Sequence, residues 1–141
     1  MIDASIEKVL NEHGFIVTEF SGTSMNPLLV SGRDKVLISK VTGRLKKGDV
    51  ALYLRDNGSY ILHRVYKVLP SSYVFYGDNH YVLEYGVKDE NIIGVCEGYF
   101  KGEKYVDFKK SFKYKIYKFF WCKSLKMRKV LNKFRKRNKN K

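Results

Sequence analysis

The hydrophobic pattern of this chain changes period twice. Residues 3–13 place Ala4, Ile6, Val9 and Leu10 at partial helical spacing, and Gly14 follows as a stop, which predicts a short helix. From Phe15 to about Val106 the texture is that of strands: short runs of Val, Ile, Tyr and Phe punctuated by Gly, Asn, Asp and Ser. These runs predict strands near 15–21, 34–40, 49–55, 60–69, 72–77, 92–100 and 103–108. Asn57-Gly58, between LYLRD and SYILHRV, is a hairpin signal, because both residues tolerate the positive φ of tight turns. Lys101-Gly102, between EGYF and EKYVDF, is a weaker one. No long helices alternate with the strands, so a mainly β, antiparallel or mixed domain is expected.

The helical period returns at Ser111. On a helix, Phe112, Ile116, Phe119, Phe120, Met127, Val130, Leu131 and Phe134 share one broad arc. Lys115, Lys118, Lys126, Lys129, Lys133 and Lys136 share another. Trp121 and Leu125 fall off the apolar arc. The final RKRNKNK is expected to be disordered. The division is therefore a β domain over residues 1–108 and a basic amphipathic helix with a tail over 109–141.

Charge sharpens that division. The chain has 141 residues and a net charge of +14. Residues 1–108 hold 13 Lys/Arg against 14 Asp/Glu, a balance of −1, whereas residues 109–141 hold 15 Lys/Arg and no acid, a balance of +15. A near-neutral domain carries a cationic arm. Hydrophobic content of 44% is that of a packed globular unit. Two cysteines, Cys96 and Cys122, are too few for a disulfide framework and suit a reducing compartment. The N-terminus carries Asp3, Glu7 and Glu12 where a signal peptide needs an apolar run, and no stretch of 18 apolar residues offers a membrane span.

Four short segments carry candidate chemistry. Gly22-Thr23-Ser24-Met25-Asn26-Pro27 presents a serine in a turn, and a serine hydroxyl needs a base to become a nucleophile. Leu62-His63-Arg64-Val65 supplies a histidine within an expected strand. Tyr76-Gly77-Asp78-Asn79-His80 ends another strand with a carboxylate, the group that orients a histidine. Lys47-Gly48-Asp49-Val50 reads as a turn entering a strand. His13 and His80 have no pattern to recommend them, although His80 lies beside Asp78.

The order and spacing of these segments resemble the signal peptidase I family over roughly residues 18–100. The likeness is to the branch that pairs serine with histidine, found in archaea, in the endoplasmic reticulum and in some spore-forming bacteria. LexA-type self-cleaving repressors share the peptidase fold and the Gly-x-Ser-Met turn, but use lysine as base where this chain has His63. The resemblance implies a signal peptidase/LexA-like β domain and a serine endopeptidase acting on a signal or leader peptide, without a cofactor or metal. It implies Ser24 as nucleophile, His63 as general base and Asp78 or Glu84 as the orienting acid. Met25 and Pro27 would shape the turn and line the substrate groove. Three departures stand out. Gly22 occupies the place of a hydroxyl residue that often assists the oxyanion. The acid is ambiguous between Asp78 and Glu84. An N-terminal membrane helix is missing, so the domain is expected to face the cytoplasm.

The cationic arm admits three readings: an in-plane membrane anchor, a nucleic-acid contact, or a helix packed on the domain or a partner. An aromatic-rich apolar face opposite lysines fits an anionic membrane surface, with Phe119, Phe120, Trp121, Lys118, Lys126 and Lys129 as contacts. The lack of a helix-turn-helix ahead of the core argues against nucleic acid. The expected location is cytoplasmic, peripheral at the inner membrane face. An alternative is a catalytically silent peptide-binding or regulatory module on the same fold. Oligomeric state is left open.

Overall fold

The computed structural model describes residues 4–121. Helix α1 spans Ala4–His13 and buries Ile6 and Leu10, two of the residues that gave it its period. Eight strands follow: β1 Phe15–Thr18, β2 Asp34–Ser39, β3 Val50–Leu54, β4 Tyr60–Val68, β5 Tyr73–Tyr76, β6 Glu84–Val87, β7 Ile92–Lys101 and β8 Lys104–Asp107. Helix α2 spans Phe112–Trp121. The fold is mainly β, as the alternating pattern predicts.

All strands join one antiparallel sheet in the order β1-β2-β7-β3-β4-β5-β6, with β8 paired to β7. The Asn57-Gly58 hairpin forms between β3 and β4, with Gly58 at φ +88° and Leu54 opposite Tyr60. The Lys101-Gly102 turn joins β7 to β8, with Lys101 opposite Lys104. Strand β6 was not expected from the sequence, because Glu84-Tyr85-Gly86-Val87 lacks an apolar run. It forms because β5 offers an unpaired edge there.

The sheet faces two cores, since successive side chains on a strand point to opposite faces. One contains Ile6, Leu10, Met25, Leu29, Val36, Ile38, Val50, Leu52 and Leu62. The other contains Ala51, Tyr53, Val65, Tyr73, Phe75 and Val87. On β4, Leu62 belongs to the first and Val65 to the second. His63 and Arg64 therefore face opposite ways. Helix α2 packs against the sheet: Tyr114 stacks on Phe108 with ring centroids 3.9 Å apart. No helix among the described residues is long and apolar enough to cross a membrane.

Candidate active site

The stretch from Ser21 to Ser31 is a closed loop rather than a linker. The Ser31 hydroxyl donates to the Phe20 carbonyl at 2.8 Å, tying its two ends. The Val30 N–H donates to the buried Asp34 carboxylate at 2.9 Å. Within the loop, the Leu29 N–H donates to the Met25 carbonyl at 3.0 Å. Gly22 sits at φ +88°, and nothing stands within 4 Å of where a Cβ would be. The backbone, not crowding, selects glycine there, since an L side chain in this region costs roughly 1–2 kcal/mol. That accounts physically for the missing hydroxyl at position 22.

Met25 is 2% exposed and packs in the first core, where it anchors the turn. Pro27 is exposed and borders a cavity of about 820 Å³ beside Leu28, Tyr99, Tyr105 and Tyr114.

Ser24 is held against the segment that follows β5. Its carbonyl accepts the Asn79 N–H at 2.8 Å. A Cβ on Gly77 would stand 2.5 Å from the Ser24 carbonyl oxygen, 3.1 Å from Ser24 Cβ and 3.2 Å from His80 Nδ1. Only glycine at 77 permits that approach, which brings Ser24 and His80 to the same spot. The Ser24 hydroxyl and N–H make no hydrogen bond to any described residue. In apo structures catalytic hydrogen bonds are often long and tighten only with substrate.

His63 sits on β4, next to β5, with Arg64 opposite Tyr76. Its ring lies 6.1 Å from the His80 ring, edge to face. His80 thus neighbours both the Ser24 turn, at Gly77, and the His63 ring. His80 is the residue that sequence reasoning set aside; its place directly after Gly-Asp-Asn was the available signal. Burial lowers the His63 pKa to about 4, helped by the nearby His80 and only partly opposed by Glu84. His63 is therefore neutral at pH 7, as a base must be before it takes a proton.

The two candidate acids occupy different networks. Asp78 is fully buried and forms a two-pronged pair with Arg64: Nε to Oδ1 and Nη2 to Oδ2, both 2.8 Å. Tyr117 also donates to Asp78 Oδ2 at 2.8 Å. Arg64 Nη1 donates to the Gly48 carbonyl at 2.9 Å and the Tyr114 hydroxyl at 2.8 Å. Asp78 thus neutralises the buried Arg64 on the face opposite His63 and ties it to α2. Glu84 lies on the His63 side. Arg55 grips it through Nε at 3.0 Å and Nη2 at 2.8 Å, and the Tyr53 hydroxyl donates to it at 2.6 Å. Tyr53 Oη is in turn 3.3 Å from His63 Nδ1. Burial pushes the Glu84 pKa up, but the hydrogen bonds from Arg55 and Tyr53 outweigh it and hold the pKa below its usual value.

Of the expected membrane contacts, Phe119 and Phe120 are exposed on α2, together with Phe112 and Ile116. Within α2, the described part of the apolar arc, Phe112, Ile116, Phe119 and Phe120, is the outward face; Tyr114, Tyr117 and Lys118 face the domain. Lys118 is half-buried, with Cε and Nζ packed over Gly48. The Trp121 side chain, Lys126 and Lys129 lie outside the described residues, as does most of the 109–141 arm. Among the described residues, no cluster of three His, Cys, Asp or Glu side chains is placed to hold a metal ion. No protein-family model matches this chain, and no curated protein sequence matches it.

Proposed function

We propose that this chain is a serine endopeptidase of the signal-peptidase type, cleaving a signal or leader peptide at a membrane surface. The supporting observation is the convergence at Gly77, where the Ser24 turn meets the segment beside His63. Ser24 Oγ attacks the scissile carbonyl carbon and its proton passes to His63. The carbonyl electrons move onto oxygen, where the Ser24 N–H donates to them. The C–N bond then breaks, His63 gives its proton to the leaving amine, and water hydrolyses the acyl-serine by the same route reversed. Burial keeps His63 unprotonated until substrate arrives.

The test compares cleavage of a leader-type peptide by the intact chain and by Ser24→Ala and His63→Ala variants. Each variant is expected to lose at least ~10³-fold in kcat. Undiminished cleavage by both would overturn the assignment. A second reading, a peptide-binding module without turnover, draws on the unbonded Ser24 hydroxyl. It predicts peptide binding by the intact chain that neither substitution alters, with no product formed.

The membrane part of the proposal rests on α2. Phe112, Ile116, Phe119 and Phe120 form an exposed apolar face on a lysine-rich helix. Such helices lie in the headgroup region of anionic bilayers. Held there at the cytoplasmic face, the domain meets substrates as they approach the membrane.

A further inference from the structure

Glu84 does not touch His63 in this structure; Tyr53 stands between them. The direction of the protons in that chain is determined by chemistry. Glu84 is gripped by Arg55 on both oxygens, and an ionised carboxylate can only accept. Tyr53 has one hydroxyl proton, and at 2.6 Å it goes to Glu84 Oε1. The tyrosine oxygen can then only accept from His63, and the atom facing it at 3.3 Å is Nδ1. His63 must carry its proton on Nδ1, leaving Nε2 with the free lone pair.

We propose that Tyr53 is a positioning residue: it relays the charge of Glu84 to His63 and locks the imidazole in the Nδ1–H tautomer that leaves Nε2 ready to take a proton. Directly bonded acids do this in other serine enzymes, and losing the correct tautomer there costs ~10⁴-fold in kcat. Here the relay replaces direct contact because Glu84 sits on the edge strand β6 while His63 lies two strands inward. Tyr53 is fully buried and rests on Phe75 with ring centroids 4.4 Å apart, so its hydroxyl has little freedom to turn elsewhere. Arg55 holds the far end by fixing the Glu84 carboxylate in one orientation.

The proposal rests on His63 being the base, but its test does not depend on activity. The full chain is labelled with ¹⁵N-histidine, and the His63 ring nitrogens are read by NMR at pH 7, where protonated and lone-pair nitrogens resonate far apart. The expected signal is a protonated Nδ1 and a bare Nε2. In Tyr53→Phe the lock is gone and the Nε2–H tautomer, favoured by free imidazole, becomes the major form. In Glu84→Ala the Tyr53 proton turns to Nδ1, which drives His63 to Nε2–H outright. This second variant leaves the buried ring in place should Tyr53→Phe fold poorly. An Nε2–H signal in the intact chain, or a tautomer unchanged in both variants, overturns the proposal. With an active peptide substrate, Tyr53→Phe is expected to lower kcat roughly 10²-fold with KM little changed. The expected tautomers without any Ser24-dependent cleavage would keep the relay and remove the peptidase. Ser24-dependent cleavage with the wrong tautomer would do the reverse.

Discussion

A histidine that is 8% exposed, next to a second histidine, has a consequence for stability. The unfolded chain binds a proton on this imidazole below about pH 6.5, while the folded chain does so only near pH 4. His63 therefore contributes stability that is complete above pH 6.5 and is lost as pH falls toward 4. The difference amounts to about 3 kcal/mol. Denaturant unfolding of the intact chain and a His63→Gln variant between pH 7 and pH 4 measures it. The intact chain should lose more stability over that range by about this amount; parallel curves would contradict it. Cys96, also buried, has its thiol pKa pushed up to about 12 by burial and donates to the Gly98 carbonyl, so it is a core residue rather than a nucleophile.

Among the elements, α2 divides its faces most sharply. Tyr114 and Tyr117 belong to the domain; Phe112, Ile116, Phe119 and Phe120 face outward. Deleting the whole arm would confound membrane binding with loss of the tyrosine contacts. Phe119→Glu/Phe120→Glu in the full chain separates them. Co-sedimentation with anionic vesicles should fall at least tenfold while the melting temperature stays within a few degrees, since exposed substitutions cost little stability. Unchanged pelleting would remove the anchor. The sequence made the amphipathic arc legible, because helical period is local. It could not say which side the domain would take, because the tyrosines that dock are polar enough to read as neither face.

For the whole molecule, the Arg64–Asp78 pair joins β4, the segment after β5, the turn at Gly48 and α2. Both side chains are completely buried. Asp78→Asn leaves a buried guanidinium without its counter-charge, a change that typically costs 3–5 kcal/mol. Glu84→Gln breaks a pair that is partly exposed and should cost no more than about 1 kcal/mol. Denaturation midpoints of the two variants discriminate a structural carboxylate from a site carboxylate. Equal losses would contradict the division of roles argued above.

The local pattern of this chain determined its class. Alternating apolar runs, the Asn57-Gly58 turn and the change to helical period at Ser111 specify the strands other than β6, and the helices, within a few residues of where they lie, because those signals act between near neighbours. The pattern also singled out Ser24, His63 and Asp78, while Glu84 entered only through the family resemblance. Only the tertiary structure decided how they connect. Arg64 claims Asp78 because adjacent strand residues face opposite ways, so the acid beside Gly77 serves the other core. His80 enters because Gly77 lets the Ser24 turn press against it. Tyr53 reaches Glu84 across three inter-strand steps of about 4.8 Å each, a span that side chains close only where the sheet curls. Curvature and edge pairing depend on the whole sheet at once, and no stretch of sequence carries them.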